Sequence, residues 1–172
     1  MLRNGATLCR LDHCTIPTHL VPMLRHGLFD LLLLGTCGYA LLRGSLPERL
    51  GAMIALGGTA LTILVASAYA TRFRHVETGV FLVDLLVFAA FTWLAIRSTR
   101  FWPVWIAGLQ GATIVEHAVR LAAPGILPRA YMDAVALWSY PILVLLVVGT
   151  IRHRRRVRQL GSDPAWKLQT DS

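Results

Sequence analysis

Of 172 residues, 55% are hydrophobic and 15% charged, whereas a soluble domain carries about 25% charged residues. That shortfall excludes an ordinary soluble domain and fits a single compact bundle with several bilayer spans. The net charge of +8 comes from Arg in short loops and in one run, Arg152-His-Arg-Arg-Arg-Val-Arg158. This is the pattern of positive-inside topology and anionic-lipid contact. Nucleic-acid binding is set aside, because no basic fold or aromatic platform accompanies the charge. Lys167 is the only lysine, a bias of GC-rich genomes, so a bacterial inner membrane is the first expectation.

Residues 1–22 read as an irregular extension and not as a signal peptide, since no continuous apolar core follows the first Arg. They contain Cys9, His13, Cys14 and His19. These are metal-ligand types, but their spacing matches no zinc pattern. Met23, directly before the first hydrophobic helix, is an alternative start. The bundle is expected over 23–151 and a basic cytoplasmic tail over 152–172. The first span, about Gly27 to Leu42, holds Asp30 one turn in, with Gly35 and Gly38 leaving room for a neighbour and Cys37 as a small packing residue. Ser45-Leu-Pro-Glu48 reads as a helix start, with Ser as N-cap and Glu three residues on. The second span, about Leu50 to Ala70, carries small residues at four-residue spacing: Gly51, Ala55 and Thr59, then Gly58, Thr62 and Ala66. Such rows let membrane helices approach closely.

The chain is organised around the next stretch, Glu77 to Leu121. Its first helix, Thr78 to Ile96, is nearly all apolar and long enough to cross roughly 30 Å of hydrocarbon, with Asp84 inside it. Its second, Trp102 to Leu121, places Gln110, Thr113, Glu116, His117 and Arg120 on one arc of roughly 120° at about 100° per residue. A polar stripe of that kind must face helices or a wet cavity. Asp84 lies roughly 9 Å from one end of its helix and Glu116 and His117 roughly 6–8 Å from the same side, so the three are placed to meet. Glu116 and Arg120, spaced i, i+4, can also neutralise each other. Trp93, Phe101, Trp102 and Trp105 cluster at the hairpin turn as an interfacial aromatic belt. The fifth span, about Tyr131 to Thr150, places Asp133 and Tyr140 on one face, and Pro141 should kink it. Residues from Gly161 on read as polar and loose.

Alternating spans put the N-terminal segment and the loops near Arg72–Glu77 and Pro124–Arg129 on one side, A. The loops near Arg43–Arg49 and Arg97–Arg100 and the C-terminal segment fall on the other, B. Side B receives nine Arg and side A seven, so side B should be cytoplasmic. Four spans, with one weak segment along the surface, is the alternative. Asp30, Glu77, Asp84, Glu116 and Asp133 all lie toward side A. This predicts a polar vestibule on that side, lined by Asp30, Glu77, Asp133 and Tyr140, and a dry, apolar side-B half.

No motif of a hydrolase, nucleotide site or zinc protease is present. The leading reading is a non-enzymatic structural or accessory subunit, packing against itself or a larger membrane complex. The alternative is a binder or carrier of a proton, cation or cofactor at Asp84, Gln110, Glu116, His117 and Arg120. Heme is one variant, with His26, His75 and His117 as candidate axial ligands. An enzyme using Glu116 and His117 is weaker, because adjacent helical residues point about 100° apart.

Four stretches carry a family likeness: Arg100-Phe-Trp-Pro-Val-Trp105, Trp138-Ser-Tyr-Pro141, the Arg-rich run, and Asp163-Pro-Ala-Trp166. Through them most of the chain after Met23 resembles small polytopic inner-membrane proteins of bacteria. That resemblance implies the all-α membrane bundle and carries no activity, cofactor or partner with it.

Overall fold

A computed structural model describes residues 20–68, 76–122 and 128–167, with side chains at 27–66, 78–119 and 138–167. The described residues form five helices and no strand: α1 Leu20–Arg43, α2 Leu46–Ala68, α3 Val76–Arg97, α4 Trp102–Ala122 and α5 Pro128–Leu160. The expected helices are all present, and two are longer than expected. Helix α1 begins before Met23, inside the segment read as irregular. Helix α5 runs some ten residues past Thr150, through the whole Arg run. Leu, Val and Ala fill the earlier turns and Arg those after Thr150, and all of these residues except Val favour helix. Gly161 ends α5 with φ +75°, and its N–H reaches Val157 O at 3.0 Å. This left-handed C-cap is open to glycine without strain.

The helices pack in a ring. Each contacts its chain neighbours, α5 closes on α1, and α2 also meets α5 across the middle. Helices α1, α3 and α5 therefore run toward side B and α2 and α4 away from it. The tightest core, including Cys37, Ala40, Ala52, Leu94, Trp102 and Leu146, lies at the side-B end. Glycines create the close approaches. A Cβ on Gly51 would stand 2.5 Å from the Trp102 ring, and one on Gly58 2.6 Å from Val87. Gly51 and Gly58 of the small-residue rows thus admit Trp102 and Val87, as close helix packing requires, while Ala55, Thr59 and Thr62 of the same rows line a cavity. Threonines inside the bundle return their hydroxyls to their own helix, Thr59 to Ala55 O at 3.0 Å and Thr62 to Gly58 O at 2.9 Å, which satisfies them in apolar surroundings.

Two helical stretches, Leu46–Ala66 and Thr78–Arg97, are long and apolar enough to cross a membrane, and only 11% and 22% of their most apolar windows is buried. The five spans expected from the sequence are matched by five helices, of which these two meet that standard among the described residues.

Candidate functional site

Two polar centres sit inside the bundle. The first is the one the sequence pointed to. Asp84 on α3 and His117 on α4 meet, with Nε2 of His117 2.9 Å from Asp84 Oδ2. The two groups share one hydrogen bond, in which an ionised carboxylate can only accept. Both are largely shielded, with side chains 8% (His117) and 19% (Asp84) exposed. Phe81 lies edge-on to the imidazole at 5.4 Å. Such a pair persists in apolar surroundings because each partner satisfies the other.

Glu116 does not join them. Its Oε1 accepts the Trp138 indole N–H at 2.5 Å, and its buried Oε2 has no hydrogen-bond partner among the described residues. Neighbouring positions on α4 thus reach in different directions, His117 to α3 and Glu116 to α5, as the 100° step requires. Gln110 is buried and shares a cavity with Asp84. The backbones of Arg120, Glu77 and Asp133 are helical, and their side chains lie outside the described residues, as do those of His26 and His75. The Cys9–His19 tract and the Glu116–Arg120 pairing fall outside them as well. Of the expected vestibule, Asp30 is exposed on α1. Tyr140 packs edge-on against Phe29 at 5.8 Å and lines a different groove. Among the described residues no three His, Cys, Asp or Glu side chains converge as metal ligands.

The cavity is a half-open pocket of about 240 Å³. Phe29 and Leu33 of α1, Ala55 of α2, Val87 of α3 and Ile142 of α5 form its apolar wall, Asp84, Gln110 and Ser139 supply polar groups, and Thr59 and Thr62 line it with hydroxyls already donated to their own helix. An apolar cavity of about 150 Å³ accepts a molecule the size of benzene, so this one has room for a somewhat larger ligand.

The second centre was not foreseen, and it corrects the expectation of a dry, apolar side-B end. Glu48 is fully buried there. Its carboxylate accepts from Ser45 N at 3.1 Å, from the Ser45 hydroxyl and from Trp102 Nε1 at 3.3 Å. Arg100 Nε lies 3.3 Å from Glu48 Oε1 with its side chain 3% exposed. The guanidinium also pairs with Asp163 and lies 3.1 Å from His153 Nδ1, which is itself 2.9 Å from Asp163 Oδ2. Arg156 stands 3.6 Å from Asp163 Oδ1. Burial alone would raise the Asp163 carboxyl, but the hydrogen bonds of His153 and Arg100 and the charges of Arg100 and Arg156 outweigh it and hold it below its usual range. Two carboxylates facing two guanidiniums make the cluster tolerable in a desolvated place.

Two further expectations change with it. Trp102 is not part of an interfacial belt. It is 1% exposed, against 50% for Trp93 and 64% for Trp105, because Gly51 and Gly149 leave a slot for its ring and Glu48 takes its N–H. Residues 161–167 are not loose. Ser98 and Trp166 form an antiparallel bridge, with Thr99 N to Ala165 O at 3.2 Å and Lys167 N to Arg97 O at 3.1 Å. Trp166 also lies 6.2 Å from Trp93. The sequence signal for this was Asp163 within an Asp-Pro-Ala-Trp ending, next to Arg100 only in space.

Among the described residues the geometry defines a bundle of five helices, with a carboxylate–imidazole pair whose Asp84 lines a cavity and an ion cluster at its end. No protein-family description, curated protein or solved structure matches the chain.

Proposed function

We propose that the chain is a multi-pass integral membrane protein that binds a small, mostly apolar molecule bearing a cationic or hydrogen-bond-donating group. The ligand sits in the bundle cavity beside Asp84. The observation that carries this reading is the half-open cavity itself, about 240 Å³ of largely apolar space with the Asp84 carboxylate, the Gln110 amide and the hydroxyls of Thr59, Thr62 and Ser139 on its wall. Ligand sites have that composition, an apolar body with a few polar groups that fix orientation. An ionisable side chain kept deep in an apolar bundle is costly, which favours a functional reason for Asp84.

Membrane embedding rests on exposure. Leu31 (70%), Leu64 (62%), Leu86 (63%), Val115 (61%) and Val144 (60%) place uncovered apolar side chains on each of the five helices. An apolar surface that continuous calls for lipid or protein cover. Five helices support five spans, the excess of Arg on side B supports a cytoplasmic end of α5, and the near absence of Lys supports a bacterial inner membrane. The same surface also suits an accessory subunit docked in a larger complex, and the cavity favours the binder over it.

The experiment is purification in gentle detergent with native mass spectrometry and an optical spectrum of the same sample. A bound small mass is expected, lost in Ala55→Phe, which fills the cavity. A ligand-free species with fixed self-stoichiometry or copurifying subunits would overturn the ligand reading in favour of the accessory role. A Soret band would show bound heme, too large for this pocket, and would overturn the small-molecule reading.

A further inference from the structure

A second groove lies on the outer surface between α1 and α5, away from Asp84. It encloses about 230 Å³ and is lined by Leu32, Thr36, Tyr140, Val144, Val147 and Val148. Its lining is open to the surroundings, with Leu32 42%, Val144 60% and Val148 37% exposed. Helices α1 and α5 both run toward side B, so the groove's two walls continue in register. On α1 the stripe of Leu32 and Thr36 leads to Tyr39 and Arg43. On α5 the stripe of Val144, Val147 and Val148 leads, seven residues on, to Arg154 and Arg155. Seven residues are two helical turns, about 10 Å. Arg154 Nη1 donates to the Tyr39 hydroxyl at 3.4 Å, so its guanidinium bridges from α5 to α1 at the side-B end of the groove. Glu48 and Asp163, the acids described at this end, are engaged by Arg100, His153 and Arg156. Arg155 is exposed and Arg43 likewise.

We propose that this groove is a binding site for a two-chain anionic phospholipid, one acyl chain lying along Leu32, Thr36, Val144 and Val148 and the phosphate held by Arg154 and Arg155. Charge complementarity selects the occupant. An apolar trough alone takes any lipid, but one that ends on guanidiniums favours an anionic headgroup, and basic pockets between helices on the cytoplasmic face have that preference. Arg also pairs with phosphate oxygens bidentately, which adds direction to the charge. The site rests on the reading of the chain as membrane-embedded and is independent of the ligand at Asp84.

The test places the full chain in nanodiscs of mixed phosphatidylglycerol and phosphatidylcholine, with bound lipid read by native mass spectrometry. Phosphatidylglycerol is expected to be retained in preference. Arg154→Gln and Arg155→Gln are each expected to reduce that preference about fivefold. Arg97→Gln, which removes the same charge from α3 at the same end, leaves it unchanged, and Val144→Trp lowers retention of both lipids. An equal loss in Arg97→Gln overturns the site in favour of diffuse charge. Competition by inorganic phosphate, with Val144→Trp without effect, overturns it in favour of a plain phosphate site. Arg155 is exposed and makes no ion pair among the described residues, so its replacement keeps the test readable should Val144→Trp fail to fold. A chain that does not incorporate into nanodiscs at all overturns the embedding, while one that incorporates without lipid preference overturns the groove alone.

Discussion

Asp84 and His117 are 33 positions apart in sequence and 2.9 Å apart in space. Depth along two antiparallel helices placed Asp84, His117 and Glu116 at one level, because a helix rises about 1.5 Å per residue, but it did not say which of the two α4 residues would reach Asp84. The partner of Glu116 was not predictable in that way. Trp138 reaches it from α5, and which face of α5 turns inward depends on the packing of the whole ring. We expect Asp84→Asn to destabilise the bundle by about 1–2 kcal/mol, since His117 loses a charged acceptor and keeps a neutral one. The same variant combined with Glu116→Gln should abolish retention of the cavity ligand in native mass spectrometry. Unchanged stability and unchanged retention would remove the basis of the site. Trp102→Ala opens a void between Gly51 and Gly149 and strips Glu48 of a donor. It should lower stability by about 3–5 kcal/mol in detergent unfolding.

At the scale of elements, the fit of α2 against α3 depends on Gly58, over which Val87 closes. Gly58→Leu should overpack that contact and destabilise by about 1–3 kcal/mol, measured by thermal unfolding. The C-terminal segment is an element the sequence did not reveal, since seven residues without hydrophobic periodicity carry no sign of where they dock. It docks through backbone pairing to residues 97–99 and through Asp163. Because the Asp163 carboxyl is held below its ordinary value, its contribution is fully present above the usual carboxylate range. It is lost as pH falls through the lowered value. Hydrogen-exchange protection factors at the Thr99 and Lys167 amides, corrected for the intrinsic pH dependence of exchange, should therefore be high at neutral pH and fall in acid. Asp163→Asn should show the low protection already at neutral pH, and high protection in that variant would mean the backbone pairing holds the segment alone.

At the scale of the whole molecule, the proposed orientation predicts that a reporter fused after Arg158 is active in the cytoplasm, and a periplasmic reading would reverse the two sides. Composition, charge and the lengths of apolar runs were enough for the sequence by itself to determine five helices, their order and their alternating direction. These properties follow from local hydrogen bonding and from runs of residues that favour helix. What only the tertiary structure decided is which side chains meet around the ring: Arg100 with Glu48 and Asp163, Trp102 in its glycine slot, Glu116 with Trp138. Such meetings depend on the rotation of each helix about its own axis, and packing against all neighbours at once sets that rotation. A charge read from sequence as solvent-facing can therefore lie buried wherever packing brings its counter-charge within reach.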